Sequence, residues 1–377
     1  MLLKPMLQTM NKQFPTFLEI DLSALESNFF HLKQKLSEGT KFLAVIKAFA
    51  YGSAASAVAK KLESLEVDYF AVAYTQEGVA LRTAGIRKPI MVLHPQPACL
   101  DDIIDSCLEP CLYNFDILNA FLIAAKNKQQ HHYPVHVKFN TGLNRLGFQH
   151  DQCLTVANVF GTQDHLRVAS ILSHLAASED LQEKEFTLSQ IGLFEKINQD
   201  FCEILGYQPV RHLCNTSGIL NYPHAHFEMV RSGIGLYGFS NDPINHPGLK
   251  PIASLKTHIS QIHSVAKGDS VGYNRGYVCP EDKSVAVVPI GHADGIGRQY
   301  GKGKGQMIIN EKAAPIMGNV CMDMIMLDVT GIDCKEGDTV EVFGQSQTAE
   351  KLAEGAGTIS YELITGISSR VPRVILH

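Results

Sequence analysis

The chain has 377 residues, 45% of them apolar and 19% charged, and a formal net charge of −5. That length holds two domains or one large barrel with an appendage, and the composition is that of an ordinary soluble globular protein. No block of Lys and Arg suggests a nucleic-acid or membrane partner, and no apolar run is long enough to span a bilayer. The nine cysteines are scattered with no Cys-x-x-Cys pair, and the first fifteen residues resemble neither a secretory nor a transit segment. The expectation is a cytoplasmic protein with reduced thiols.

In chain order, 17–20 reads as a short strand that packs with a second domain, and 21–39 as an amphipathic helix carrying Leu25, Phe29, Leu32 and Leu36 on one face. Short apolar strands follow at 42–47, 69–73, 90–94, 111–114, 135–140, 168–174, 210–215 and 229–236. Helical stretches at 54–65, 76–84, 115–126 and 184–205 lie between most of them. Strands this apolar are buried on both faces, and crossover helices make the sheet parallel. Eight such units predict an α/β fold, a (β/α)8 TIM-type barrel, with a doubly wound open sheet as the competitor. The barrel is favoured because Lys47, His94, Lys138, His174 and Asn215 follow the apolar runs at their C-terminal ends, where barrel enzymes place their chemistry. Arg231 is the exception, at a strand start.

After about residue 245 strand-like segments at 256–264, 285–290, 325–329 and 339–343 are separated mostly by Gly-containing turns. A helix is not expected before 348–356. This predicts a C-terminal, mainly antiparallel β domain over 246–377, behind a barrel domain over 14–245. The histidines at His131, His132, His224 and His226 show no ligand spacing and read as surface or loop residues.

The chemistry is best marked at Phe42-Leu-Ala-Val-Ile-Lys47-Ala-Phe-Ala-Tyr51-Gly52-Ser53. A lysine ending a buried strand either snorkels to solvent or is desolvated enough to lose its proton. The second case yields the neutral amine that forms a Schiff base with an aldehyde cofactor. This segment resembles the lysine signature of the alanine racemase family, Lys-Ala-Asn-Ala-Tyr-Gly-His, with Phe49 and Ser53 replacing Asn and His. The resemblance continues through His136-Val-Lys138-Phe-Asn140-Thr-Gly142-Leu-Asn-Arg145-Leu-Gly147, Ser173-His174, His212-Leu-Cys-Asn215-Thr216-Ser217 and Val230-Arg231-Ser-Gly233-Ile234. It ends with Gly272-Tyr273-Asn-Arg275, Gly291-His292-Ala293-Asp294, Cys321-Met322-Asp323 and Tyr361-Glu362.

The resemblance implies pyridoxal 5′-phosphate as cofactor, alanine as substrate and a homodimer with shared active sites. It makes Lys47 and Tyr273 the two catalytic bases and Arg231 the partner of the pyridine nitrogen, with His174 orienting Tyr273. It assigns the phosphate to the backbone of Gly233 and Ile234 and to hydroxyls of Tyr51, Tyr361 and Thr216 or Ser217, with Asn215 beside them. Arg145 and Met322 would bind substrate, with Lys138 carbamylated beside Arg145; no metal is implied. Asn140, where the family has Asp, and His292, where it has Tyr, are further departures. A broad-specificity or serine racemase, a decarboxylase and a non-catalytic cofactor-binding protein remain the alternatives. Tyr273 and Arg231 argue against the decarboxylase, and the second domain against the binding protein.

Overall fold

The computed structural model describes residues 14–240 and 248–377. It divides into two compact units that are discontinuous in sequence. Of the described residues, one comprises 25–50, 55–240 and 248–250; the other comprises 14–24, 51–54 and 251–377. The expected boundary at 245/246 lies outside the described residues.

The first unit is a parallel eight-stranded sheet in the order β8-β7-β6-β5-β4-β3-β2-β9. Its strands are β2 (Lys41–Val45), β3 (Tyr69–Val72), β4 (Ile90–Val92), β5 (Glu109–Leu112), β6 (Tyr133–Lys138), β7 (Leu166–Leu172), β8 (Val210–His212) and β9 (Met229–Ser232). β9 pairs with β2, and the Arg231 N–H donates to the Cys214 carbonyl just past β8, so the ring is nearly closed. This is the (β/α)8 barrel expected from the apolar runs. Most strands stop earlier than hydropathy suggested, because the last apolar residues leave the ladder to form the loops. Lys47, His94, His174 and Asn215 therefore sit past the strand ends, whereas Lys138 is the last residue of β6. Arg231 corrects its sequence reading: it is the third residue of β9 and only 5% exposed.

The helix expected over 21–39 runs from Leu22 to Lys33, opened by the Asp21 carboxylate accepting from the N–H groups of Ser23 and Ala24. Beyond Lys33 the chain turns with tighter bonds, such as Lys35 N–H to Leu32 O. The helix Lys184–Leu205 falls where expected, closed by Gly206 at φ 73°. His226 is buried rather than on the surface, one ring nitrogen bonded to the Ile219 carbonyl.

The second unit is built on a nine-stranded sheet ordered β11-β14-β17-β16-β15-β18-β10-β1-β19, with β14 at Lys283–Val288, β15 at Gln306–Ile309, β16 at Lys312–Met317, β17 at Ile325–Asp328 and β18 at Thr339–Phe343; it is antiparallel except for β1 (Thr16–Asp21) against β19 (Arg373–Leu376). The expected strand over 256–264 is two strands, β10 (Ala253–His258) and β11 (Gln261–Val265). Between them Ile259 bonds to Asp338 and Ser260 to Val287, so the chain crosses from one neighbour to another without interrupting its hydropathy. Tyr51–Ala54 belongs to this unit: the Arg373 guanidinium donates to the Gly52 carbonyl at 2.8 and 3.2 Å.

Candidate active site

Lys47 emerges from β2 into one left-handed turn. Ala48, Phe49, Ala50 and Tyr51 have φ of 52°, 55°, 56° and 53°. Each non-glycine residue in this conformation costs roughly 1–2 kcal/mol, so the surroundings must hold it. Glu77 does much of that holding. Its carboxylate accepts from the Ala48 N–H at 2.6 Å, and from those of Ala73 and Tyr74 at 2.7 and 3.1 Å. The sequence reading missed Glu77; its signal was an acidic residue in the first turn of a helix opening directly after a strand. Burial pushes the Lys47 ammonium below its usual range; Arg145 adds to this and Glu77 opposes it. Lys47 is thus half-buried rather than free in solvent.

Lys138, Arg145, His174 and Arg231 gather with Lys47 closely enough that their charges act on one another. Lys138 is buried, and burial foremost lowers its ammonium. Burial and then Arg231 hold His174 neutral, well below the usual imidazole range. No carboxylate is among the groups acting on Lys138, His174 and Arg231, and two of the five basic groups are guanidiniums, an arrangement able to receive an anionic ligand.

Arg231 spends four of its five N–H donors inside the protein. Nη1 donates to His212 Nδ1 and the His212 carbonyl, both at 2.8 Å. Nη2 serves the Ser173 and Leu213 carbonyls at 2.6 and 3.0 Å and His174 Nδ1 at 3.3 Å. Nε–H remains. Because arginine only donates, a chain of tautomers follows. His212 accepts at Nδ1, so its Nε2–H donates to Ser170 Oγ (2.8 Å). Ser170 then donates to His136 Nδ1 (2.6 Å), and His136 Nε2–H donates to Glu109 (2.9 Å). This line of buried groups runs from the strand ends down through the barrel interior. Glu109 and Ser170 went unremarked in the sequence, since a lone polar residue in an apolar strand carries no pairing information.

Beside Arg231, Thr216 Oγ1 lies 3.0 Å from Ser232 Oγ and accepts from the Gly235 N–H at 3.2 Å. A Cβ on Gly235 would stand 2.6 Å from Thr216 Cγ2, so only glycine permits this approach. Thr216 and Ser217 are both buried. Asn215 caps the short helix they open: its Oδ1 accepts from the Gly218 N–H and the Ser178 hydroxyl, both at 2.8 Å. Arg145 is exposed on the loop after β6. Asn140 shapes that loop, accepting from Gly142 and Asn144 N–H groups and donating to Asn144 Oδ1 at 2.8 Å. Asn in place of Asp thus keeps both acceptor contacts and adds a donor.

In the β unit, Tyr51 and Tyr361 pack with ring centroids 6.2 Å apart. Tyr273 is 73% exposed in a tight turn, where Asn319 donates to its carbonyl. Met322 is 59% exposed, and His292 beside it is exposed too. Asp323 and Asp294 both accept from Arg370.

Two family profiles match the chain: alanine racemase, N-terminal domain, over residues 20–241, and alanine racemase, C-terminal domain, over 252–375. An alanine racemase of Halothermothrix orenii is 34% identical over 383 residues, covering 97% of this chain and 98% of that one. Among solved structures, an alanine racemase of Clostridium difficile 630 superposes with a TM-score of 0.91 at 33% identity, over 96% of each chain. The alanine racemase of Bartonella henselae, solved with covalently bound pyridoxal phosphate, has a TM-score of 0.87 at 26% identity, over 96% of this chain and all of its own.

Proposed function

The chain belongs to the alanine racemase family, and from that premise we propose that it interconverts L- and D-alanine using pyridoxal 5′-phosphate. The observation that carries the cofactor is the meeting of a deprotonation-prone Lys47 with a basic cluster and a hydroxyl-lined glycine turn at the barrel's strand ends. An aldehyde, a phosphate and a carboxylate each find a complementary group there. When bound, pyridoxal phosphate supplies an electron-withdrawing ring that acidifies the α-proton of an amino acid.

Lys47 Nζ holds the cofactor and exchanges the Cα proton on one face. Arg231 offers its remaining Nε–H to the pyridine nitrogen. Being permanently charged, it leaves that nitrogen unprotonated, which tempers the ring and favours proton exchange over decarboxylation. The phosphate is held by the N–H groups of Gly233 and Ile234 and by hydroxyls of Tyr51, Tyr361 and Thr216 or Ser217, with Asn215 fixing the turn. Arg145 receives the substrate carboxylate. Lys138, whose burial favours the neutral amine, takes up CO2 as a carbamate that steadies Arg145.

The second base is Tyr273, supplied with Met322 by the other subunit of a homodimer; their exposure on the β unit supports this. His174 accepts from Arg231 at Nδ1 and so presents Nε2–H, a donor that steadies an ionised tyrosine. No described helix is long and apolar enough to cross a membrane. The proposed role is a cytoplasmic supply of D-alanine for peptidoglycan.

The deciding experiment joins an absorbance scan to a D-alanine assay on L-alanine, with L-serine as comparator. A band near roughly 420 nm that Lys47→Ala removes, together with alanine turnover, is expected. A band without alanine turnover would move the substrate to another amino acid. No band after adding pyridoxal phosphate would overturn the reading.

A further inference from the structure

At the N-terminal ends of β6 and β7, away from the strand ends that carry the chemistry, two turns bring His131, Asp164 and His165 together. One ligand atom from each lies within 4.8 Å of the others. We propose that these three residues bind a single divalent transition-metal ion of the zinc type, clipping the turn before β6 to the turn before β7. The inference does not depend on the racemase reading.

Geometry and donor type both support it. His131 Nδ1 is 3.0 Å from Asp164 Oδ2, and His165 Nε2 is 3.8 Å from Asp164 Oδ1. Donors around a tetrahedral zinc at 2.0–2.1 Å stand ~3.3 Å apart, so small side-chain rotations bring all three into its sphere. His165 is already set for the task. Its Nδ1 lies 2.8 Å from the Gln130 carbonyl, which fixes the proton there and turns the Nε2 lone pair toward Asp164. The backbone is fixed as well, because His132 N–H donates to Asp164 O at 2.7 Å and Tyr133 N–H to His165 O at 2.8 Å. Two imidazoles and one carboxylate suit zinc, nickel, cobalt or copper(II) rather than magnesium or calcium, which take oxygen. The side chains of His131 and Asp164 are 63% and 61% exposed, leaving room for water as a fourth ligand. Catalysis in this fold sits at the opposite end of the strands, so the ion's role here is structural.

The test is calorimetric titration of zinc chloride into the full-length protein, His131→Ala and Asp164→Asn, with cobalt(II) absorption spectra in parallel. Both substitutions alter exposed side chains and leave the core intact. One zinc per chain that weakens at least about tenfold in either variant supports the site, as does a zinc-dependent rise in melting temperature confined to the unsubstituted protein. Unchanged binding in both variants would overturn it. So would the absence of binding, or a cobalt spectrum showing only the near-ultraviolet charge transfer of thiolate ligation, which would assign the ion to cysteines.

Discussion

The strand ends of the barrel and the Tyr273 turn of the β unit are organised by opposite rules. Around Arg231 almost every polar atom finds its partner within its own chain, at 2.6 to 3.3 Å. Tyr273 and Met322 project into solvent, and neighbouring Met324 and Val278 are 48% and 50% exposed. The barrel end is preorganised by folding alone. The β-unit face instead keeps its large side chains in solvent.

Substituting each side separately tests that contrast. The largest effect is expected for Tyr273→Phe, which removes one hydroxyl from an exposed residue. Racemisation should fall by about 10²–10⁴ in both directions while the melting temperature stays unchanged. Turnover retained by this variant would remove Tyr273 from the chemistry. On the barrel side, Ser170→Ala leaves His136 Nδ1 without a donor and His212 Nε2–H without an acceptor. A stability loss of about 1–3 kcal/mol in denaturant unfolding is expected, with weaker retention of the 420 nm chromophore. A variant as stable as the parent would mean that the buried line is not a connected network.

The smallest effect concerns acid. Burial foremost, then Arg231, holds His212 well below the usual imidazole range. Its contribution to stability is therefore complete above the unfolded value near 6.5. Below that, the unfolded chain takes up a proton that the native site refuses, and stability falls by at most about 1.4 kcal/mol per pH unit. His212→Gln should flatten that slope between pH 6.5 and 5; an unchanged slope would place the acid sensitivity elsewhere.

The barrel was legible because strands such as Lys41–Val45 and Ile90–Val92 are buried apolar runs, a pattern that needs no knowledge of the partner strand. Lys47 and Lys138 stood out for the same reason, as charges closing such runs. Less visible were features defined by pairing. The hairpin of Gln306–Ile309 with Lys312–Met317 turns at Asn310 and Glu311, with φ of 47° and 65°. Asn-Glu lacks the glycine that usually marks such a turn, so the sequence did not show it. Glu77 and Glu109 were hidden differently, since each matters only through backbone or imidazole groups that the fold brings to it. The histidines at 131 and 165 lie 34 positions apart, and only the pairing of β6 with β7 makes them neighbours.

The first strand has a consequence for how the chain is made. Among the described residues β1 pairs with β10 and β19 alone, and Thr16 meets Thr257 across 241 positions. At about 5–20 residues per second, the ribosome needs roughly 12–48 s after making β1 to produce its first partner. Through that interval the barrel strands emerge and can close, while an apolar strand has neither of its partners. The β unit therefore cannot be assembled as an independent C-terminal module: its sheet is completed by a strand synthesised before the barrel.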